Sequence, residues 1–348
     1  MVMLTWKEPQ GVFDIQRLVQ NAIDLEFATL PPYLYAKFTI LPGTNAAALA
    51  LLDSIIRQEM IHMCLACNIL NAIGGTPAVT PPHYPGPLPG GVAKGLTVGL
   101  LPFTPAAIAQ GMAIEAPDEP IKPRVALAIG QDEDVSIGEY YHRIDIALSK
   151  LPASDWTVGR NQIGDAQFFQ GQIFDVNGYA DAHRAINQIV SEGEGTPVRP
   201  DQPGSPLDFQ HDLAHYYRFW EIAQNRVLTQ ADDGSNYTWG APLGVDWQAA
   251  YPAIANPQEH DFVHDPAPAQ AAQAACNAAF TAMVDALGKA FAGSAGELGV
   301  AVRAMFDLRM AAMAALNAPL ADGTHVSGPA FVYLGGQATT TQTEGAAA

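Results

Sequence analysis

Two segments of this chain are apolar along one helical face except for a single glutamate each, and this constrains the fold more than any other feature. In the first, Glu26 stands among Val19, Ala22, Ile23, Leu30 and Tyr33. In the second, Glu59 stands among Leu52, Ile55, Ile56, Met63 and Ala66, and His62 follows it by three residues. Residues three or four apart leave a helix on the same side, so Glu59 and His62 share the buried face. An ionised carboxylate in such a stripe is costly unless a positive group pairs with it. No Lys or Arg holds a facing position: Lys37 and Arg57 point elsewhere. A metal cation would supply the charge. One Glu on a helix and Glu-x-x-His on its neighbour is half of a di-metal carboxylate site in a helix bundle. Oxygen and imidazole donors suit iron or manganese. The bland alternative is a buried Glu–His pair with a purely structural role.

Composition narrows the function classes. Asp and Glu number 35 against 17 Lys and Arg, a net charge of −18. So acidic a chain lacks the footprint of a nucleic-acid binder and is not drawn to anionic lipid. Hydrophobic residues reach 49% of the 348, enough for a large core. Cys64, Cys67 and Cys276 do not make a disulfide framework. The first ten residues, MVMLTWKEPQ, do not read as a secretory leader, and no apolar run is long enough for a membrane helix. The expected setting is soluble, reducing and cytoplasmic. Cys64 and Cys67 form a CxxC in mid-helix rather than at a helix start, so core packing is expected of them rather than redox chemistry.

Periodicity and breakers predict an all-α chain. Helices are expected over 11–40 and 46–73, packed as an antiparallel hairpin, then over about 104–116, 134–151, 178–194, 208–229, 265–292 and 296–318. Asp14 and Asn45 are plausible N-caps, and Gly74-Gly75 a stop. Pro31-Pro32 is expected to kink or break the first helix, because proline lacks the backbone donor. A Pro/Gly-rich crossover covers 76–103, and the aromatic stretch 230–264 is expected to be irregular. The predicted organisation is a bundle over 1–229, then the aromatic segment with two Ala-rich helices over 230–335. A disordered tail is expected over 336–348.

The second half of the site has two candidate sets. One is Glu115 with Glu139 and His142, the second ExxH of the chain. The other draws on Glu194 and Asp212-x-x-His215. Glu115 sits on a short helix cut by Pro117, whereas 178–194 and 208–229 are longer, which favours Glu194 and His215 with Glu139. Asp132, Glu133 and Asp134 read as a solvated run capping the helix that follows. Tyr33, Tyr140 or Tyr141 could line a substrate pocket, although core packing is the commoner role.

LEFATLPPYLYAKFTI (25–40) and IRQEMIHMCLACNILNAIGGTP (56–77) resemble the ferritin-like family that includes the iminophenyl-pyruvate dimer synthase domain. YPGPLPGG (84–91), MAIEAPDEP (112–120), IGEYYHRI (137–144), EGEGTP (192–197), LAHYYRFWEI (213–222) and GPAFVYLGG (328–336) are similar too. The resemblance implies a ferritin-like four-helix bundle with extra helices and a non-haem iron (one or two ions) or manganese centre. It implies Glu26, Glu59, His62, Glu139, Glu194 and His215 as recurrent site positions, with Glu194 preferred to Glu192. It also implies an oxidoreductase using oxygen or peroxide on a small organic, aromatic imino-acid-derived substrate of secondary metabolism. The expected partners are that small molecule and a possible second copy of the chain. The alternative is a metal-binding or structural bundle without catalysis.

Overall fold

The computed structural model describes residues 9–91, 95–117, 136–164, 169, 171–195, 206–230 and 237–335. It is predominantly helical, as expected. The first hairpin pairs α1 (Val12–Phe38) with α2 (Ala46–Ala72). Three cross-links show that the two run antiparallel. Gln16 Nε2 donates to the Ile73 carbonyl, Thr29 Oγ1 to Glu59 Oε2, and Lys37 pairs with Asp53. Ascending one helix therefore means descending the other.

Pro31 and Pro32 neither break nor end α1, which runs on for six residues beyond them. The expected break does not occur because the loss is made good from outside the helix. Without an N–H at Pro32, the Ala28 carbonyl has no partner within the helix. The buried Tyr84 hydroxyl, arriving from the Pro-rich crossover, donates to that carbonyl at 2.6 Å. The crossover thus completes the helix it passes. The two expected caps fare differently. Asp14 lies inside the first turn and accepts from Gln10 N, while Gly11 holds the cap position. Asn45 does hold the cap position of α2, in a left-handed conformation (φ 50°), but its side chain bonds to Asp246 rather than to the helix. Gly74, at φ 79°, supplies the left-handed turn that follows α2.

The other two walls of the bundle are shorter. They are α3 (Pro105–Ile114), α4 (Ile137–Ser149), α5 (Tyr179–Gly193) and α6 (His215–Gln224). Between α2 and α3, β1 (Gly86–Pro87) and β2 (Thr97–Val98) form a minimal antiparallel ladder. The helix expected over 208–229 is confined to α6. Asn225 turns left-handed at φ 52°, and the chain continues as β3 (Arg226–Gln230), antiparallel to β4 (Tyr237–Pro242). β-branched and aromatic residues on both strands favour this ladder over a longer helix. Last come α7 (Ala267–Phe291) and α8 (Glu297–Leu316), an Ala-rich pair packed on each other and against the α1–α2 hairpin. The solvated run at 132–134 and the tail at 336–348 lie outside the described residues. Cys64 and Cys67 are buried in the core, where burial raises the Cys67 thiol well above its ordinary pKa.

The role given to Tyr84 has a direct check. Tyr84→Phe leaves the Ala28 carbonyl buried and unpaired, so it should destabilise the protein by about 1–3 kcal/mol in equilibrium unfolding. A cost near zero would mean that another donor serves this carbonyl.

Candidate metal centre

Six ionisable side chains from five elements meet in the middle of the bundle. Glu26 comes from α1, Glu59 and His62 from α2, Glu115 from the residue after α3, Glu192 from the last turn of α5, and His215 opens α6. All are buried, none more than 3% exposed. Two groups of three place their donor atoms within 4.8 Å of one another: Glu26, Glu59 and His62, and Glu59, Glu115 and His215. Glu59 belongs to both.

Glu26, Glu59 and Glu115 are held by one rule: each gives one oxygen to a hydroxyl donor and turns the other toward an imidazole. Tyr141 Oη donates to Glu26 Oε1 at 2.6 Å, and Glu26 Oε2 lies 3.6 Å from His62 Nδ1. Thr29 Oγ1 donates to Glu59 Oε2 at 2.7 Å, and Glu59 Oε1 lies 3.8 Å from His62 Nδ1 and 2.8 Å from His215 Nδ1. Tyr33 Oη donates to Glu115 Oε1 at 2.5 Å, and Glu115 Oε2 lies 3.6 Å from His215 Nδ1. Burial and the neighbouring carboxylates hold the Tyr33 and Tyr141 phenols well above their ordinary pKa, so they remain donors.

The imidazoles are oriented from behind. His62 Nε2 lies 2.8 Å from Glu192 Oε2, and His215 Nε2 lies 3.1 Å from Gln58 Oε1. Arg218 Nη1 donates to the same Gln58 oxygen at 2.6 Å. A guanidinium only donates, so the Gln58 atom between it and His215 must be the oxygen. His215 therefore carries its proton on Nε2, and in the neutral ring Nδ1 presents a lone pair to Glu59 and Glu115. The two rings stack with centroids 5.4 Å apart. A ring nitrogen tied to an acceptor behind, with the other nitrogen turned to carboxylates in front, is the usual setting of a metal-ligating histidine.

Protons and a cation compete for these atoms. Desolvation and the charges of Glu115 and Glu26 push the Glu59 carboxyl up to about 7, against the opposing pull of His215. Burial works against charge on His62, but the carboxylates of Glu192 and Glu26 outweigh it and raise its pKa well above the ordinary value. The same balance, with Glu115 and Glu59 as partners, raises His215. Glu192 is driven up by burial yet ends below its ordinary value because His62 binds it. Within the cluster two buried atoms still lack a hydrogen-bond partner, His215 Nδ1 and Glu192 Oε1. His215 Nδ1 stands 2.8 Å from Glu59 Oε1 without hydrogen-bond alignment. Two donor atoms brought this close and left unbonded suit a shared cation, so the residues present fit the metals named from the sequence.

The structure brings together Glu26, Glu59, His62 and His215, four of the six residues named from the sequence. Glu139 and Glu194 stand elsewhere. Glu139 pairs with Arg143 one turn along α4, on a partly exposed face. Glu194, the first residue past α5, accepts from Gly138 N at 2.6 Å and so ties down the start of α4. His142 is exposed on α4, and Asp212 sits in the turn before α6, bonded through its N–H to Asp208. Glu115 and Glu192 join the cluster instead. Both were legible by the criterion that picked out Glu26 and Glu59. Glu192 continues the buried stripe Ala185, Ile186, Ile189 on α5, and Glu115 continues Ile108 and Gly111 on α3. Helix length was the wrong guide, because a residue at a helix end can be aimed by a partner outside the helix, as Tyr33 aims Glu115. Of the tyrosines, Tyr33 and Tyr141 reach the site, while Tyr140 donates to the Leu18 carbonyl.

Among the described residues, no helix is long and apolar enough to cross a membrane. A family model described as ferritin-like matches residues 19–224. The chain is similar to a solved ferritin-like protein from Caulobacter vibrioides, with 21% identity and a TM-score of 0.62, over 93% of this chain and 99% of that one. No curated protein matches. The matched span holds all six residues of the cluster, and the chain belongs to the ferritin-like family.

Proposed function

We propose that this chain is a ferritin-like non-haem metal protein that binds two iron or manganese ions and acts as an oxidoreductase on a small organic molecule. One observation carries the reading: two ligand triads of one histidine and two carboxylates share Glu59, with every outer oxygen already taken by a hydroxyl. Glu26, Glu59 and His62 would hold one ion, and Glu59, Glu115 and His215 the other. With Glu192, four carboxylates stand in the cluster, and two divalent ions would balance their charge. A bound pair of this kind supplies redox equivalents and a Lewis-acidic place for oxygen or peroxide.

The chain's own residues do the rest. Tyr33, Tyr141 and Thr29 keep the carboxylates aimed, and the apolar residues of α1 and α2 exclude water. An open cleft of about 520 Å³ lies beside the centre, with Ser54, Asp212, Arg218, Glu221 and Tyr237 on its walls. Ser54 and Arg218 both contact each other, and Arg218 reaches Gln58 behind His215, so the cleft lies one side chain from the ligands. A guanidinium beside two carboxylates suits a substrate with an acid group and a nitrogen base. That agrees with the imino-acid class implied by the resemblance.

Elemental analysis after reconstitution tests the reading. Wild type should hold two equivalents of metal. Glu26→Ala or His62→Ala should remove one, Glu115→Ala or His215→Ala the other, and Glu59→Ala both, each with native far-UV circular dichroism. Metal-dependent oxygen or peroxide consumption with an aromatic imino acid should disappear with Glu59→Ala. A wild type that takes up no transition metal, with the same substitutions costing only stability, would favour a structural cluster. Two bound equivalents without turnover would favour a metal-binding bundle that does no chemistry.

Gln58→Leu removes the acceptor that fixes His215, so metal affinity should fall about 10–100-fold while the fold persists. Gln58→Glu keeps an acceptor in place and should retain most of the affinity. Equal affinity in wild type and Gln58→Leu would show that His215 needs no such support.

A further inference from the structure

The outer face of α8 carries a pattern that is complementary to itself. Gly296, Val300, Arg303, Asp307, Met310 and Ala314 are all exposed, and they follow one another at alternating spacings of four and three. That is the a/d spacing of a coiled-coil seam, and it is separate from the stripe Ala301, Ala304, Leu308, Ala312 and Ala315, which is buried against the body of the protein. A soluble helix normally turns polar residues outward. Here the outward seam has Val300 at 40% and Met310 at 69% exposure, and Phe306 beside it at 63%. Among the described residues, neither Arg303 nor Asp307 makes an ion pair within its own chain.

We propose that α8 is a two-fold interface that binds a second copy of this chain, helix against antiparallel helix. With the axis level with Met305, Arg303 faces Asp307 of the other copy, Val300 faces Met310, and Gly296 faces Ala314. Each pairing occurs twice, as an isologous contact requires. Antiparallel seams pack a against d, and all three pairings obey that rule. Phe306 flanks the seam close to the axis and meets its own symmetry mate. The small residues at the outer ends let the helices approach, the apolar pairs seal the contact, and the two ion pairs at its centre set orientation and register. A parallel arrangement would instead set Arg303 against Arg303 and Asp307 against Asp307. The inference does not depend on the metal centre, since α8 contributes no ligand to it.

Sedimentation velocity over a concentration series to about 200 µM covers the range of a small interface of this kind. The full-length wild type should dimerise. Arg303→Asp and Asp307→Arg each turn both central pairs repulsive and should weaken the dimer about tenfold or more. The two single variants, mixed, should form a heterodimer, and the double variant Arg303→Asp/Asp307→Arg should recover self-association. The substituted side chains are exposed, so circular dichroism and the unfolding midpoint should stay at wild-type values. A wild type that remains monomeric throughout overturns the proposal. So does a dimer that ignores both single variants, or single variants that neither cross-associate nor recover when combined.

Discussion

Everything in this fold answers to one electrostatic constraint: four carboxylates and two imidazoles are buried together. Removing a single unpaired charge from water costs several kcal/mol. Arg218, a buried cation near the cluster, spends its hydrogen bonds on Ser54, Gln58 and the Leu213 carbonyl. The residual negative charge must be met by protons or by metal. The raised pKa values of Glu59, His62 and His215 show the first answer, and the inward aim of their donor atoms suits the second.

The scaffold keeps the donors aimed whichever answer is in force. Thr29, Tyr33 and Tyr141 each secure one carboxylate oxygen, and Glu192 and Gln58 each secure one imidazole nitrogen. These partners come from α1, α2, α4 and α5, so the geometry of the site is fixed by the packing of the bundle rather than by any single loop. Further hydrogen bonds brace the helices that carry the site. The Pro-rich crossover repairs α1 through Tyr84 only one turn from Glu26 and Tyr33. Glu194 secures the start of the helix that carries Tyr141. α7 and α8 pack against the α1–α2 hairpin and leave one face of α8 outward.

Much of this was legible in the chain because charge in an apolar stripe is a local signal. It identified Glu26, Glu59 and His62 and the helices that carry them, and family likeness added His215. What failed was reasoning from helix length and from isolated proline rules. Glu115 and Glu192 lie at helix ends, where their aim depends on Tyr33 and His62, residues far away in sequence. Glu139 and Glu194 look equivalent as letters but find Arg143 and the Gly138 amide as nearer partners. Pro31-Pro32 does not break α1 because the rescuing hydroxyl arrives from Tyr84, fifty-two residues later. The strand at 226–230 follows a left-handed Asn225 that no hydrophobic period could reveal. In each case a tertiary partner outweighed a local preference.

The central claim is that Glu59 is shared by two cations. Its most direct test is an anomalous-scattering map of metal-reconstituted crystals, recorded on both sides of the metal's absorption edge. The account predicts two peaks, one among Glu26, Glu59 and His62 and one among Glu59, Glu115 and His215, with Glu59 between them. A map with no peak at either triad, or with a peak at Glu139 or Glu194 instead, would contradict it.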